Sequence, residues 1–545
     1  MEHATQQRCL QAPPEDGQTL VDPPRSELPG ILAQNRRQLA QASYDVQGRP
    51  LMELAASARR GFLERAVAYT RQYRDLPSSL AACTASASAP LVLSGHQPQL
   101  SHPGVWYKNF VLGSLAKQVD GVGIHLLIDS DLCRSTSMCV PTGTADQPRA
   151  ESVPFDQPAA DMPYEERAVR DMATFESFAD RVANLLQPFV DRPLIQSLWP
   201  LVLKRSDANP NLGLCLAQGR HMLEASWGNV TLELPQSAVC KLPEFGWFAA
   251  HVLAHLPRFW DAHNDALAEY RRIHRLRNRA QPVPDLAESD GWLEAPFWMW
   301  SADDPRRQPV FARQQGDELL LTDRQQRTVA LALSADRDAA SAAEQLADLA
   351  ARGIKLRTRA LATTLFARLC LGDLFLHGIG GAKYDQITDA IAPRFFGFAL
   401  PEFATVSATL RLPIAHERVD AAQHRTLRRR LRDLEFHPEN YVLADGSVPA
   451  EKVSHVTELV ARKRRWLESP QTRQNARQRH FEIVEASQAL QPYVAQLRTQ
   501  LERQLDEAES RLRATAILES REVAFCLFPR EHLEKLLLDA SARRP

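Results

Sequence analysis

The spacing of apolar residues changes several times along the chain, and each change predicts a different kind of element. After a Pro-rich opening, Leu51, Leu54, Ala55, Phe62, Leu63 and Val67 recur at roughly helical intervals. This predicts a helical lead-in over residues 1–85, closed by an Ala/Ser linker from Ala81 to Ala89. From Pro90 the pattern reads strand (Leu91–Leu93), loop, helix (about Val105–Lys117) and strand (Val122–Asp129), a βαβ unit that implies a parallel sheet. A helix over 212–226, a strand over 229–233 and helices around 246–277 continue the alternation.

The texture then shifts. Phe297–Trp300, Val310–Arg313 and Glu318–Thr322, separated by DDPRRQ and QQGD, predict a small antiparallel insertion near 295–325 inside an α/β core that spans 86–413. Trp298 and Trp300 alternate as strand residues should, and core packing accounts for them. An amphipathic helix (about 357–371), a strand Leu374–His377, the loop GIGG, a helix from about Lys383 and a strand near Thr405–Leu410 complete the core. After Pro413 the chain reads as helix. Val494, Leu497, Leu501, Leu505, Ala508 and Leu512 are spaced 3, 4, 4, 3 and 4 apart, the a/d seam of a coiled coil. Two long helices, near 451–470 and 475–518, would bury their seams against each other or against a second subunit, so a homodimer through the helical region 414–520 is expected. The last segment, 521–545, is expected to pack back on the core.

Composition narrows the function classes. With 545 residues, 44% hydrophobic and 24% charged, the chain has the make-up of an ordinary globular protein of several domains, and no apolar run approaches the ~18 residues of a membrane helix. The first residues show neither a basic nor an apolar signal region, which predicts a cytoplasmic protein. Sixty-five basic residues against 66 acidic ones argue against a nucleic-acid or anionic-membrane binder. The eight cysteines, Cys9 among them, are scattered without zinc spacing, so no metal site is expected.

Candidate chemistry gathers in two loops that follow predicted strands. In the first, SGHQPQLSHP, Gly95 permits a close turn, while His96, Gln97, Gln99 and His102 can present donors and acceptors to a polar ligand; Lys108 adds a cation. The next strand ends in Asp129 and Asp131, carboxylates suited to an amine or to hydroxyls. In the second, HGIGGAKYD, the glycines Gly378, Gly380 and Gly381 let the backbone approach a ligand at a helix start that favours an anion, with His377 before them and Lys383 and Tyr384 after. The order GxGxxG is absent and Lys383 is not followed by Ser or Thr, which argues against a dinucleotide or P-loop site. His96 is the expected proton-transfer group, since an imidazole of near-neutral pKa suits an attacking amine or thiol. Its alternative role is a turn histidine satisfied by a backbone carbonyl. Asp129 and Lys383 complete the expected catalytic set, Lys383 by neutralising developing negative charge.

SGHQPQLSHPGVWYKNF followed by GVGIHLLIDSD, TRALATTLFARLCLGDLFLHGIGGAKYD and the strand ending ATLRLP resemble the bacillithiol biosynthesis cysteine-adding enzyme family, BshC. The resemblance implies a Rossmann-like core, a small β insertion, a C-terminal coiled coil, and a ligase that joins cysteine to glucosaminyl malate. Gly95 and Gln97 fall on the family's first turn, Pro103 and Gly104 near its bend, Thr358 and Arg359 on its Thr-Arg pair, and Gly378, Gly380 and Tyr384 on its second loop. Where the family has an acidic and histidine-containing strand end, this chain reads Ile128-Asp129-Ser130-Asp131, and where its second loop has a glutamate this chain has Gly381. The alternative is a small-molecule binding protein, for a nucleotide or sugar, with no catalysis or a different one. The sequence leaves open whether ATP or another nucleotide is a cofactor.

Overall fold

The run LVLSGH, four buried residues and then two half-buried ones, forms a strand inside the larger of two six-stranded sheets. In the computed structural model, which describes residues 10–84, 88–158, 161–416, 421–443 and 448–542, the strands are β1 Thr19–Asp22, β2 Leu91–His96, β3 Val122–Leu127, β4 Ser137–Gly143, β5 Pro148–Pro154, β6 Leu232–Pro235, β7 Glu288–Ser289, β8 Trp292–Ser301, β9 Gln308–Gln315, β10 Glu318–Thr322, β11 Thr328–Leu331, β12 Ile354–Thr358, β13 Leu374–His377 and β14 Phe403–Ala408. The larger sheet has the order β1-β14-β13-β2-β3-β6, parallel throughout except for the antiparallel edge strand β1. Strands β3 and β14 are buried at every position, as expected where helices cover both faces of a parallel sheet. The second sheet, β11-β10-β9-β8-β12 with β7 beside β8, is antiparallel, and β4 and β5 form a separate ribbon.

The fold is therefore mixed α/β. Contacts divide it into an α/β unit, reaching to Val140 and including Glu151–Pro413 and the chain from Arg521 on, and a helical unit of Ile414–Ser520 with Pro141–Ala150. The N-terminal segment does not stand apart as a lead-in. β1 pairs with β14, and helix Leu51–Arg71 sinks Leu54, Ala58, Phe62 and Ala66 into the main core. Arg59 on that helix grips both oxygens of Asp373, at 2.8 and 2.7 Å, and Asp373 also accepts from the backbone N–H of Leu91, so one buried carboxylate fixes the helix to the starts of β2 and β13. The expected Ala/Ser linker begins as helix, Ser78–Thr84; residues 85–87 lie outside the described ones, as does Cys9. From Arg521 the chain packs on the same unit, where Phe525 stacks on Trp106 at 4.2 Å.

Several element boundaries differ from those the pattern predicts. The region read as one amphipathic helix begins as strand β12, because Leu356 and Thr358 find partners in β8; helix Ala360–Phe366 and a π-turn, Ala367–Leu371, follow. The strand expected at 229–233 lies at Leu232–Pro235, and the helix expected from Lys383 begins at Ile379. The long helix 475–518 is divided by a 3-10 turn, Gln491–Val494, where Pro492 has no N–H to continue the helix. Within the helical unit, Val494, Leu501 and Ala508 are buried in a cluster with Leu427, Leu434, Val456 and Leu490. The seam is thus covered by other helices of the same chain, chiefly Ala421–Phe436, and burial of its apolar face does not itself require a second copy. Among the described residues no helix is long and apolar enough to cross a membrane, and no group of three or more His, Cys, Asp or Glu could hold a metal ion.

Candidate functional site

Strands β2 and β13 are adjacent and parallel, with Ser94 opposite Leu376, so the two loops that follow them leave the same edge of the sheet. From β2 the chain crosses to β3 on one side, and from β13 to β14 on the other. The strand order reverses between them. A crevice opens at such a reversal, outside the carboxyl ends of the strands, because the two following helices depart in opposite directions. Here it is a cavity of about 1000 Å³ within the α/β unit.

Thirteen of the fifteen residues singled out from the sequence line it: Gly95, His96, Gln97, His102, Lys108 and Asp131 on one wall, His377, Gly378, Gly380, Gly381, Lys383 and Tyr384 on the other, and Arg359 from the end of β12. Gln99 and Asp129 do not. Gln99 is exposed, and its side-chain oxygen accepts from the Tyr164 hydroxyl at 3.5 Å. Asp129 accepts from the Ser237 N–H at 2.9 Å and from the Ser237 hydroxyl, and burial, aided by the Glu165 charge, raises its pKa to about 6. Its carboxylate is spent on a short helix start, which corrects its expected role as amine holder and catalytic group.

The expected titration of His96 is also absent. Its Nδ1 donates to the Gln97 carbonyl at 3.0 Å, and burial, with the Lys108 charge beside it, lowers its pKa to about 3, so the ring stays neutral. His102 caps helix Pro103–Gln118, its Nδ1 accepting from the Gly104 N–H at 3.1 Å. Gln97 and Asp131 hold each other, with Gln97 Nε2 donating to Asp131 at 2.8 Å, while Leu132 N–H and Arg307 also donate to that carboxylate. Lys108 is 1% exposed and donates to the Gly95 carbonyl at 2.6 Å; burial and the Arg220 charge bring its pKa down to about 7.

Across the cavity, Gly378 caps helix Ile379–Phe396, and Gly380 and Gly381 lie in its first turn. None of the three has positive φ, so glycine is not required there by backbone conformation. What glycine supplies is room. A Cβ at Gly378 or Gly380 would meet nothing within 4 Å, whereas at Gly381 it would stand 2.9 Å from Nδ1 of His377. His377 in turn donates from Nε2 to Asp385 at 2.8 Å, and Arg368 donates to the same carboxylate oxygen at 2.7 Å.

Sequence reasoning missed the contribution of the antiparallel insertion. Trp298, read as core, is half-buried and lines the cavity, with the guanidinium groups of Arg307 and Arg359 over its ring at 4.9 and 4.1 Å. Both arginines leave Nε without a hydrogen-bond partner. Arg307 lies in the DDPRRQ turn, where only the excess of charge in a tight loop could have drawn notice. Gln236, Thr358 and Thr363 form a hydrogen-bonded cluster on the wall, Gln236 Nε2 donating to Thr363 at 2.9 Å. Lining cations are Lys108, Arg134, Arg307, Arg359, Lys383 and Arg521, against Asp131, Asp385 and Glu522, so the cavity suits a ligand with negative charge. No protein-family model matches the chain, and no curated protein matches it at a significant level.

Proposed function

We propose that the protein is a BshC-like ligase that adds an amino acid, cysteine in the family it resembles, to an amino-sugar conjugate in low-molecular-weight thiol biosynthesis. The observation that carries this reading is the convergence of the two glycine-containing loops on one cation-rich cavity. A malyl glycoside has two carboxylates for the arginines and lysines, and an aromatic ring such as Trp298 suits the apolar face of a sugar. On the same reading the core is Rossmann-like, the C-terminal helices form a coiled coil, the protein works in the cytoplasm and it associates as a homodimer through those helices. The test is direct: purified protein is incubated with cysteine and glucosaminyl malate, with and without ATP, and the products are weighed by mass spectrometry. The conjugate mass should appear, and the ATP arm shows whether a nucleotide is consumed. Neither product nor calorimetric binding of glucosaminyl malate would exclude this substrate.

A second reading, a binding protein for a nucleotide or sugar without this catalysis, is favoured by two observations: Asp129 is turned to Ser237, and His96 is held by Gln97 and kept neutral. Native mass spectrometry that finds a retained small molecule, with no turnover in the assay, would support it.

A further inference from the structure

His377 stands at the end of β13 between two aromatic rings, stacked on Phe375 at 4.4 Å and edge-on to Phe403 at 5.1 Å, which fixes the plane of its imidazole. Its Nε2 meets Asp385, and Asp385 is itself immobilised by Arg368, which also binds Asp389 and the Pro401 carbonyl. The Arg368–Asp385 pair is buried, with both side chains no more than 2% exposed, and the guanidinium keeps the carboxylate well below its usual pKa, so Asp385 is an anion at any working pH. An anion at Nε2 puts the ring proton there. Nδ1 then carries the lone pair, has no hydrogen-bond partner among the described residues, and faces the gap left by the missing side chain of Gly381 in the wall of the cavity. A carboxylate on one ring nitrogen and a free lone pair on the other is the arrangement by which a histidine accepts a proton and has the resulting charge compensated.

Resting on the ligase reading above, we propose that His377 is the general base of the cavity, positioned by Asp385, and that the substrate's nucleophile reaches Nδ1 across Gly381. The step is a single proton transfer: an N–H or S–H of the bound substrate gives its proton to Nδ1, the substrate keeps the electron pair for attack, and the imidazolium formed is balanced by Asp385. This assigns to His377 the role expected of His96, whose Nδ1 is committed to a carbonyl, and gives a function to Asp385, which the sequence did not single out. Burial holds His377 below its ordinary pKa while Asp385 opposes that shift, so the ring is neutral and ready to accept a proton at pH 7. Arg368 and Lys108 are the cations that act on it, and both favour the neutral ring.

Diethyl pyrocarbonate, which acylates a neutral imidazole nitrogen that it can reach, tests the base without any substrate. At pH 7 the peptide carrying His377 should be carbethoxylated along with the exposed His455 and His480. Gly381→Ala, whose Cβ would stand 2.9 Å from Nδ1 of a ring held between Phe375 and Phe403, should melt somewhat earlier and, in the folded protein, cut labelling of His377 by tenfold or more while labelling of His480 is unchanged. Asp385→Asn removes the charge but can keep a hydrogen bond, so the pH midpoint of His377 labelling should move to lower pH, and an unmoved midpoint would overturn the pairing of Asp385 with the base. His377 left unlabelled while His480 reacts would overturn the proposal. Labelled His377 in a protein that does not ligate cysteine to glucosaminyl malate would overturn the substrate assignment and retain the base.

Discussion

Lys108 reaches back from the first turns of its helix to the carbonyl oxygen of Gly95, 2.6 Å away, and among the described residues this backbone acceptor is the only hydrogen-bond partner of a cation that is 1% exposed. Taking an ammonium out of water without a carboxylate nearby penalises its charged form. The folded pKa of about 7 lies below the ordinary 10.5, so between these values the unfolded chain binds the proton that the folded chain releases. Stability from this group therefore rises with pH across the window from about 7 to 10.5, by at most about 5 kcal/mol. Lys108→Met should flatten that slope in urea unfolding measured from pH 7 to 9.5. Parallel slopes for the two proteins would show that Lys108 is charged and compensated in the fold.

Asp129 gives the opposite sign. Its folded pKa of about 6 lies above the ordinary 3.8, so the stability that its neutral form contributes is complete below 3.8 and is lost as pH rises through 6. Asp129→Asn keeps an acceptor for the Ser237 N–H and has no charge to bury. The variant should gain on the order of 1–3 kcal/mol over the parent at pH 7 and little at pH 4, with ligand affinity unchanged. Loss of affinity in calorimetry would return Asp129 to the site.

Two glycines should respond in opposite ways. A Cβ at Gly104 would lie 2.2 Å from the carbonyl oxygen of Ala408, so Gly104→Ala must push helix Pro103–Gln118 off β14 and lower stability by about 1–3 kcal/mol. At Gly380 a side chain meets only the cavity, so Gly380→Val should melt within a few degrees of the parent yet lose ligand affinity tenfold or more. Equal melting of the two variants, or full affinity in the second, would contradict this division.

In the helical unit, Leu501 is buried against helices of its own chain, and Leu501→Ala should cost about 2–5 kcal/mol in the unfolding of that unit. Phe481 and Val484, one turn apart on helix Ala476–Leu490, are 62% and 37% exposed. If the proposed homodimer forms, these residues rather than the seam should hold it, and Phe481→Glu should give a monomer in light scattering while Leu501→Ala should not. A monomeric parent protein at micromolar concentration would remove the dimer from the proposal.

Local chemistry in the sequence determined the class of elements and both loops of the cavity. Leu91–Leu93 and Leu374–Leu376 are apolar runs that end in glycine and histidine, and such runs report strand ends because a strand needs only its own residues to be recognised. The seam of the C-terminal helix was legible for the same reason. What covers that seam was not, since a periodic face states that it needs a partner and not which one. Pairing across distance decided the rest. Only the order β14-β13-β2-β3 sets the two loops side by side at a reversal, and only the docking of β12 on β8 brings Arg359 and Trp298 to the same cavity. The roles of the charged groups also depended on the tertiary structure. Asp129 and Asp131 are two residues apart, yet one is tied to Ser237 and the other to Gln97 and Arg307; His96 and His377 both follow strands, yet one binds a carbonyl and the other a buried carboxylate. A side chain's pKa and free valence are set by neighbours within a few ångströms: Ser237 and Arg307 reach Asp129 and Asp131 from segments 108 and 176 residues away that only the fold assembles, and although Gln97 and Asp385 lie close in sequence to His96 and His377, only the folded backbone decides which atoms meet.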